Sequence, residues 1–201
     1  MTSELTAGLE SPWPEVFALM WEAYRAGTIP VGAVVLNEAN EVVSRGRNRI
    51  FDTSHDGQFG ASRLAHAELN ALLGLSSERT YEGFTIYTAL EPCHLCLAAT
   101  IAVRVGHLRY AATDRFAGAV GKVVATADHE AHPLNVDGPL EGDAGRLPEL
   151  LHLAHCIWRV PNGGVATFYR CLRPDLVAAA KKLPAPGTDA SLDEAFATLA
   201  P

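Results

Sequence analysis

Two cysteines three residues apart, Cys93 and Cys96, follow Pro92 directly and enclose His94 and Leu95. That spacing puts both thiols on one helical face, so both can reach a single ion. The free amides and dipole of a helix N-terminus lower thiol pKa, which serves zinc ligation and thiol redox chemistry equally well. Upstream, His66-Ala67-Glu68 adds an imidazole and a carboxylate. Two thiolates and one imidazole make three protein ligands and leave the fourth tetrahedral position to water. Zinc in such a site lowers the pKa of its water toward neutrality, and Glu68 is the carboxylate placed to take and return protons. Residues two apart on a regular helix point about 200° away from each other. His66 therefore has to stand in the opening turn if it and Glu68 serve one ion. A thiol-disulfide oxidoreductase built on Cys93 and Cys96 leaves His66 and Glu68 without a role. A fourth protein ligand would instead mark a noncatalytic, zinc-stabilised protein.

The elements that must position these groups follow from periodicity. Val16, Phe17, Met20, Ala23 and Tyr24 recur at helical spacing, which predicts a helix over 12–26, capped by Ser11 and closed by Gly27. Ile29–Leu36 and Glu41–Asn48 are Val-rich runs separated by Asn37-Glu38-Ala39-Asn40, the pattern of a hairpin. The polar stretch 51–62 reads as a loop. A helix is predicted over Leu64–Leu75, a strand over Phe84–Leu90, a helix over 92–103 with Glu91 at its cap, and a strand over His107–Ala112. The result is an α/β layered domain. Residues 114–147, rich in Gly and Asp, read as a long functional loop, followed by a helix over 148–154, a last strand over 157–160 and a short helix after Pro174. Pro184-Ala185-Pro186-Gly187 is a hinge, so the expected organisation is one domain over 1–183 and a peripheral tail over 184–201. Trp13, Trp21, Trp158 and Phe168 are expected as packing aromatics, and Cys156 and Cys171 as buried, inert thiols.

The 201 residues are 48% hydrophobic and 19% charged, a globular composition with enough apolar surface for one sizeable core. The formal net charge of -7 opposes binding to nucleic-acid phosphates, and Lys is sparse (Lys122, Lys181, Lys182). No apolar run has membrane-spanning length, and the acidic start without Lys or Arg does not read as a secretory signal, so a cytoplasmic location is expected.

His-x-Glu followed by Pro-Cys-x-x-Cys is the signature of zinc deaminases that act on nucleobases. On Pro30-Val31-Gly32-Ala33-Val34, Arg47-Asn48-Arg49, His66-Ala67-Glu68, Leu90 to Cys96 and Asp114, the sequence resembles the cytidine and deoxycytidylate deaminase superfamily over roughly residues 12–125. Within it, the motifs look most like the branch of guanine deaminases and tRNA adenosine deaminases. The resemblance implies a three-layer α/β/α sandwich with a five-stranded mixed sheet. It also implies zinc (Zn2+) held by His66, Cys93 and Cys96, and hydrolytic deamination in which a zinc-bound hydroxide attacks the amino-bearing carbon, Glu68 shuttles protons and ammonia leaves. Asn48 and Asp114 would contact substrate, as would main-chain amides at Ala67 and Cys93, and a homodimer is implied. Leu95 in place of the usual Met, a longer 51–64 segment containing His55-Asp56-Gly57, and the lack of a basic C-terminal helix depart from the tRNA-acting pattern. A small amino-heterocycle, guanine-like purine favoured, is therefore the expected substrate, with tRNA adenosine as the alternative.

Overall fold

The computed structural model describes residues 8–53, 57–122 and 127–198; His55 and Asp56 of the 51–64 segment lie outside them. The first helix, α1 (Trp13–Arg25), buries the predicted stripe of Val16, Phe17, Met20, Ala23 and Tyr24, and Gly27 at φ 72° turns the chain out of it. Its N-cap is Pro12 rather than Ser11, and no side chain caps it. The hairpin follows as β1 (Gly32–Leu36) and β2 (Val42–Arg47), then α2 (Ala67–Leu72), β3 (Tyr81–Leu90), α3 (His94–Val103) and β4 (Val105–Ala112).

Beyond β4 the sequence reading needs correction. Residues 114–147 are not one loop: they contain α4 (Ala127–Ala131), β5 (Asn135–Asp137) and the start of α5 (Gly142–Arg159). The run 157–160 is the end of α5 and its C-cap, not a strand. Its apolar residues lie on a helix that turns Trp158 outward at 54% exposure, so Trp158 does not pack a layer as expected. The sheet's fifth strand is the three-residue β5, too short and exposed to show an alternating pattern. Then come α6 (Gly164–Leu172), α7 (Pro174–Ala180) and α8 (Leu192–Ala197).

The strand order is β2-β1-β3-β4-β5, with β1 antiparallel to β2 and β3, and parallel pairing from β3 to β4 and β4 to β5. This is the expected mixed five-stranded sheet. Strand alternation sends Val34, Leu36, Tyr87, Ala89 and Ala111 to a core shared with α1, α5, α7 and α8. It sends Ala33, Val35, Ile86, Leu108 and Ala112 to the opposite core under α2 and its neighbours. Two glycines permit this layering. A Cβ on Gly32 would overlap the α1 backbone at Val16 and Met20, and one on Gly46 would overlap the α2 backbone at Ala67 and Ala71.

The end of the described chain is tied to α1. Tyr24 Oη–H donates to the Pro184 carbonyl (2.6 Å), Gly187 N–H donates to the Tyr24 carbonyl (3.0 Å), and α8 buries Leu192 and Ala195. Among the described residues no helix is long and apolar enough to cross a membrane.

Candidate active site

Both chemical motifs sit where a helix begins. His66 is the N-cap of α2, with extended backbone (φ -75°, ψ 152°), so the helical-wheel separation between it and Glu68 does not apply. Glu68 lies in the first turn. Cys93 is likewise the extended N-cap of α3 (φ -71°, ψ 173°), and Cys96 lies one turn on. Glu91 is therefore not the cap. Its buried carboxylate instead accepts from the Val120 N–H (3.1 Å) and the Asp114 N–H (3.2 Å), clamping the loop after β4 against the start of α3.

The three ligand candidates converge. His66 Nδ1 lies 3.7 Å from Cys93 Sγ and 3.3 Å from Cys96 Sγ, and the two sulfurs are 3.7 Å apart. Tetrahedral zinc with bonds of about 2.3 Å to sulfur and 2.0–2.1 Å to nitrogen places two sulfurs about 3.75 Å apart and sulfur about 3.6 Å from nitrogen. The donor set and its spacing thus fit zinc, and it is the only such group of three found among the described residues. His94 is exposed and outside it.

The two sulfurs lie within hydrogen-bonding reach of each other. The Cys96 S–H holds Cys93 down to about 3 against the cost of burial, with His66 adding to the effect. Cys96 is pushed up, first by Cys93 and then by burial. His66 is raised chiefly by Cys93.

Glu68 is 5% exposed, and burial raises its pKa above the usual carboxylate range. Its Oε2 is 3.4 Å from Cys96 Sγ, and Thr88 Oγ1–H points to its Oε1 at 3.4 Å. The carboxyl thus stands beside the ligand cluster without belonging to it.

Asn48 is 2% exposed at the end of β2. Its Oδ1 accepts from Thr28 Oγ1 (2.7 Å) and from the Ile50 N–H (3.1 Å), which orients the side-chain NH2. Asp114 is buried, and its Oδ1 accepts from the N–H groups of Phe116 and Ala117 (both 2.9 Å). Ala67 opens α2, and Cys93 precedes α3, so the main-chain amides named from sequence lie at the two helix starts.

Sequence reasoning missed the supports. Asn70 donates to the Arg47 and Phe59 carbonyls (both 3.1 Å) and accepts from the Phe59 N–H (2.7 Å), pinning the segment before α2. A polar residue in the otherwise apolar stretch 69–73 was its signal. On the other side, buried Glu149 accepts from Arg115 Nε (3.0 Å) and Tyr169 Oη (2.9 Å). Phe168, expected in the core, is only half-buried, while Tyr169 is fully buried. Cys171 is exposed rather than buried. Cys156 is half-buried; burial opposes ionisation of its thiol, but His152 one turn earlier, with His155 adding to the effect, outweighs it and brings the thiol down to about 6.

With fold and geometry in view, comparison with known proteins places the chain. The family described as the cytidine and deoxycytidylate deaminase zinc-binding region matches residues 13–112. The chain belongs to the cytidine and deoxycytidylate deaminase superfamily. It is 39% identical over 145 residues to a tRNA(Ile)-lysidine synthase of Deinococcus radiodurans, covering 69% of this chain and 24% of that protein. It is 34% identical over 103 residues to a tRNA-specific adenosine deaminase of Haemophilus influenzae, covering 50% and 56% of the two. The chain thus spans about a quarter of the first relative's length and about half of the second's. A solved structure from a study of A-to-I editing by tRNA:A34 deaminases is 28% identical with a TM-score of 0.51, covering 60% of this chain and 91% of that one.

Proposed function

We propose that the protein is a zinc-dependent hydrolytic deaminase of a small nucleobase, nucleoside or related amino-heterocycle, a guanine-like purine being favoured. The observation that carries this reading is the convergence of His66, Cys93 and Cys96 at tetrahedral spacing with the carboxyl of Glu68 against Cys96. Three protein ligands leave a position for solvent, unlike a closed structural site. When bound, zinc supplies the Lewis acidity that makes water a nucleophile near neutral pH.

The chain's own groups do the rest. Glu68 accepts a proton from the attacking water and delivers it to the departing amino group, so water and amine are consumed and carbonyl product and ammonia are released. Burial disfavours its ionised form, so the carboxyl holds a proton more readily than an exposed one. Asn48 offers its NH2 to a ring acceptor. Asp114 and the main-chain amides of Ala67 and Cys93 complete the set of contacts to the ring. Glu91 positions the loop that carries Asp114.

Likeness to the Haemophilus influenzae enzyme favours a second reading, deamination of adenosine in tRNA. The formal charge of -7 weighs against it. The test is ammonia release by zinc-loaded protein from free bases, nucleosides, related amino-heterocycles and a tRNA anticodon stem-loop. Release from a small heterocycle supports the first reading. Release from the stem-loop alone replaces it with the second, and silence throughout overturns both. A homodimer and a cytoplasmic setting belong to the same reading, and analytical ultracentrifugation and cell fractionation check them.

A further inference from the structure

Asn48, proposed to hold the reacting ring, is anchored at every polar atom but one. Its main-chain N–H donates to the Val31 carbonyl (2.9 Å), and its carbonyl accepts from Arg47 Nη1 (3.1 Å). Its Oδ1 accepts twice, from the Thr28 hydroxyl (2.7 Å) and from the Ile50 N–H (3.1 Å). A main-chain N–H can only donate, so the amide oxygen has to face Ile50 and the amide cannot be turned over. The two N–H groups of Nδ2 are left. They have no acceptor among the described residues, although Asn48 is 2% exposed. A buried amide whose oxygen is fully engaged and whose N–H groups are free is set to donate to a bound molecule.

The chain on both sides of Asn48 is tied to the candidate zinc centre. Arg49 N–H donates to the Ala65 carbonyl (2.8 Å), one residue before His66, and Asn70 of α2, two residues after Glu68, donates to the Arg47 carbonyl (3.1 Å). Thr28 comes from elsewhere in the fold. It follows Gly27 in the connection from α1 to β1, is fully buried, and its own N–H donates to the Ala23 carbonyl (3.0 Å). His155 of α5, beyond the residues 13–112 that match the family, donates from Nε2 to the Gly27 carbonyl (3.3 Å). The Thr28 hydroxyl is therefore presented to Asn48 from a fixed backbone, and its one hydrogen bond among the described residues is that to Oδ1.

We infer that Thr28 is a specificity-determining positioning residue: its hydroxyl holds Asn48 as a donor-only contact, so the site takes an amino-heterocycle that presents a ring nitrogen or carbonyl oxygen to Asn48 and rejects one that presents N–H or C–H there. This rests on the deaminase reading and deepens it. The Ile50 bond decides which way round the amide sits. The Thr28 bond decides its direction, because two donors on one oxygen restrain the amide plane where one would let it swing. Without the hydroxyl, Oδ1 keeps a single partner and Nδ2 loses its aim. A ligand without an acceptor at that edge leaves a buried donor unpaired, a mismatch against which sites built to hydrogen-bond their substrate discriminate strongly.

The test pairs a change in the protein with a change in the probe. Zinc-loaded full-length chain carrying Glu68→Gln, so that the probe is not consumed, is titrated calorimetrically with adenine and guanine. Each is compared with counterparts that lack one acceptor: deazapurines, in which a single ring nitrogen is a C–H, and the aminopurine without guanine's carbonyl. One such counterpart is expected to bind about 10- to 100-fold more weakly than its parent. Adding Thr28→Val weakens the parent by about tenfold and leaves that counterpart unchanged, so the gap narrows. Thr28→Ala repeats the hydroxyl deletion without a branched side chain to fit, and Thr28→Ser, which keeps the hydroxyl, restores the gap. Equal loss for parents and counterparts, a gap unmoved by removing the hydroxyl, loss of fold in both hydroxyl-free variants, or no binding by any probe overturns the inference. Ammonia release is measured in parallel on chains with Glu68 intact. Ammonia without selective loss removes the role of Thr28 only, whereas selective loss without ammonia keeps that role and removes the deaminase reading.

Discussion

At the scale of residues, the proposed chemistry rests on three atoms that converge: His66 Nδ1 and the sulfurs of Cys93 and Cys96. Their convergence was legible because two short motifs name them. The extended backbone of His66, which brings it to the same side as Glu68, was not legible, since N-cap geometry depends on how the chain enters the helix and not on residue type. Replacing Cys96 with Ser is expected to lower zinc content from about one per chain to near none, as measured by elemental analysis after gel filtration. Full zinc retention would remove Cys96 from the ligand set. Cys156 shows the opposite case, a residue whose type said little and whose neighbours say more. Its thiolate is the nucleophile, so its alkylation rate should climb as pH rises through about 6 and flatten above about 7. His152 and His155 from its own helix flank it, and Asp114 and Glu149 act on His152. A rate still climbing steeply at pH 8 would contradict that environment.

At the scale of elements, α1 was readable from its one buried stripe, β1 to β4 from short β-type apolar runs, and α2 and α3 from Ala and Leu content and the position of Pro92. Their ends were less so, and α2 is shorter than its apolar composition suggests, leaving Leu64 and Leu73 exposed. The region after Asp114 defeated the reading for a physical reason. The three-residue β5 gains its pairing only from β4, and α5 carries Pro148 and two glycines that look like breakers. Close approach of elements gives a sharp test. Gly46→Ala would press a methyl into the α2 backbone at Ala67 and Ala71. It should cost about 1–3 kcal/mol by overpacking, seen as a lower urea midpoint, and should weaken zinc retention because His66 is the N-cap of α2. An unchanged midpoint would show that β2 and α2 separate freely. Glu91→Ala should likewise cost about 1–3 kcal/mol, because two buried N–H groups lose their acceptor.

At the scale of the molecule, the sheet and the helices on its two faces bring the starts of α2 and α3 together, and residues far apart in sequence meet at one candidate zinc centre. Zinc binds the native arrangement and not a dispersed chain, so its removal should destabilise the whole fold. At free zinc a thousandfold above Kd the linkage contributes about 4 kcal/mol. For a chain of this size that is roughly 10 °C in Tm, readable as the difference between zinc-loaded and chelator-treated protein. The central claim, that Glu68 moves protons for a hydrolytic deamination beside the zinc site, is tested most directly by Glu68→Gln assayed beside the wild type. Because burial works against the ionised carboxyl, the variant should fold and keep zinc as the wild type does. Its ammonia release should fall by about 10²- to 10⁴-fold. A zinc-loaded, folded Glu68→Gln protein that released ammonia at the wild-type rate would contradict the account.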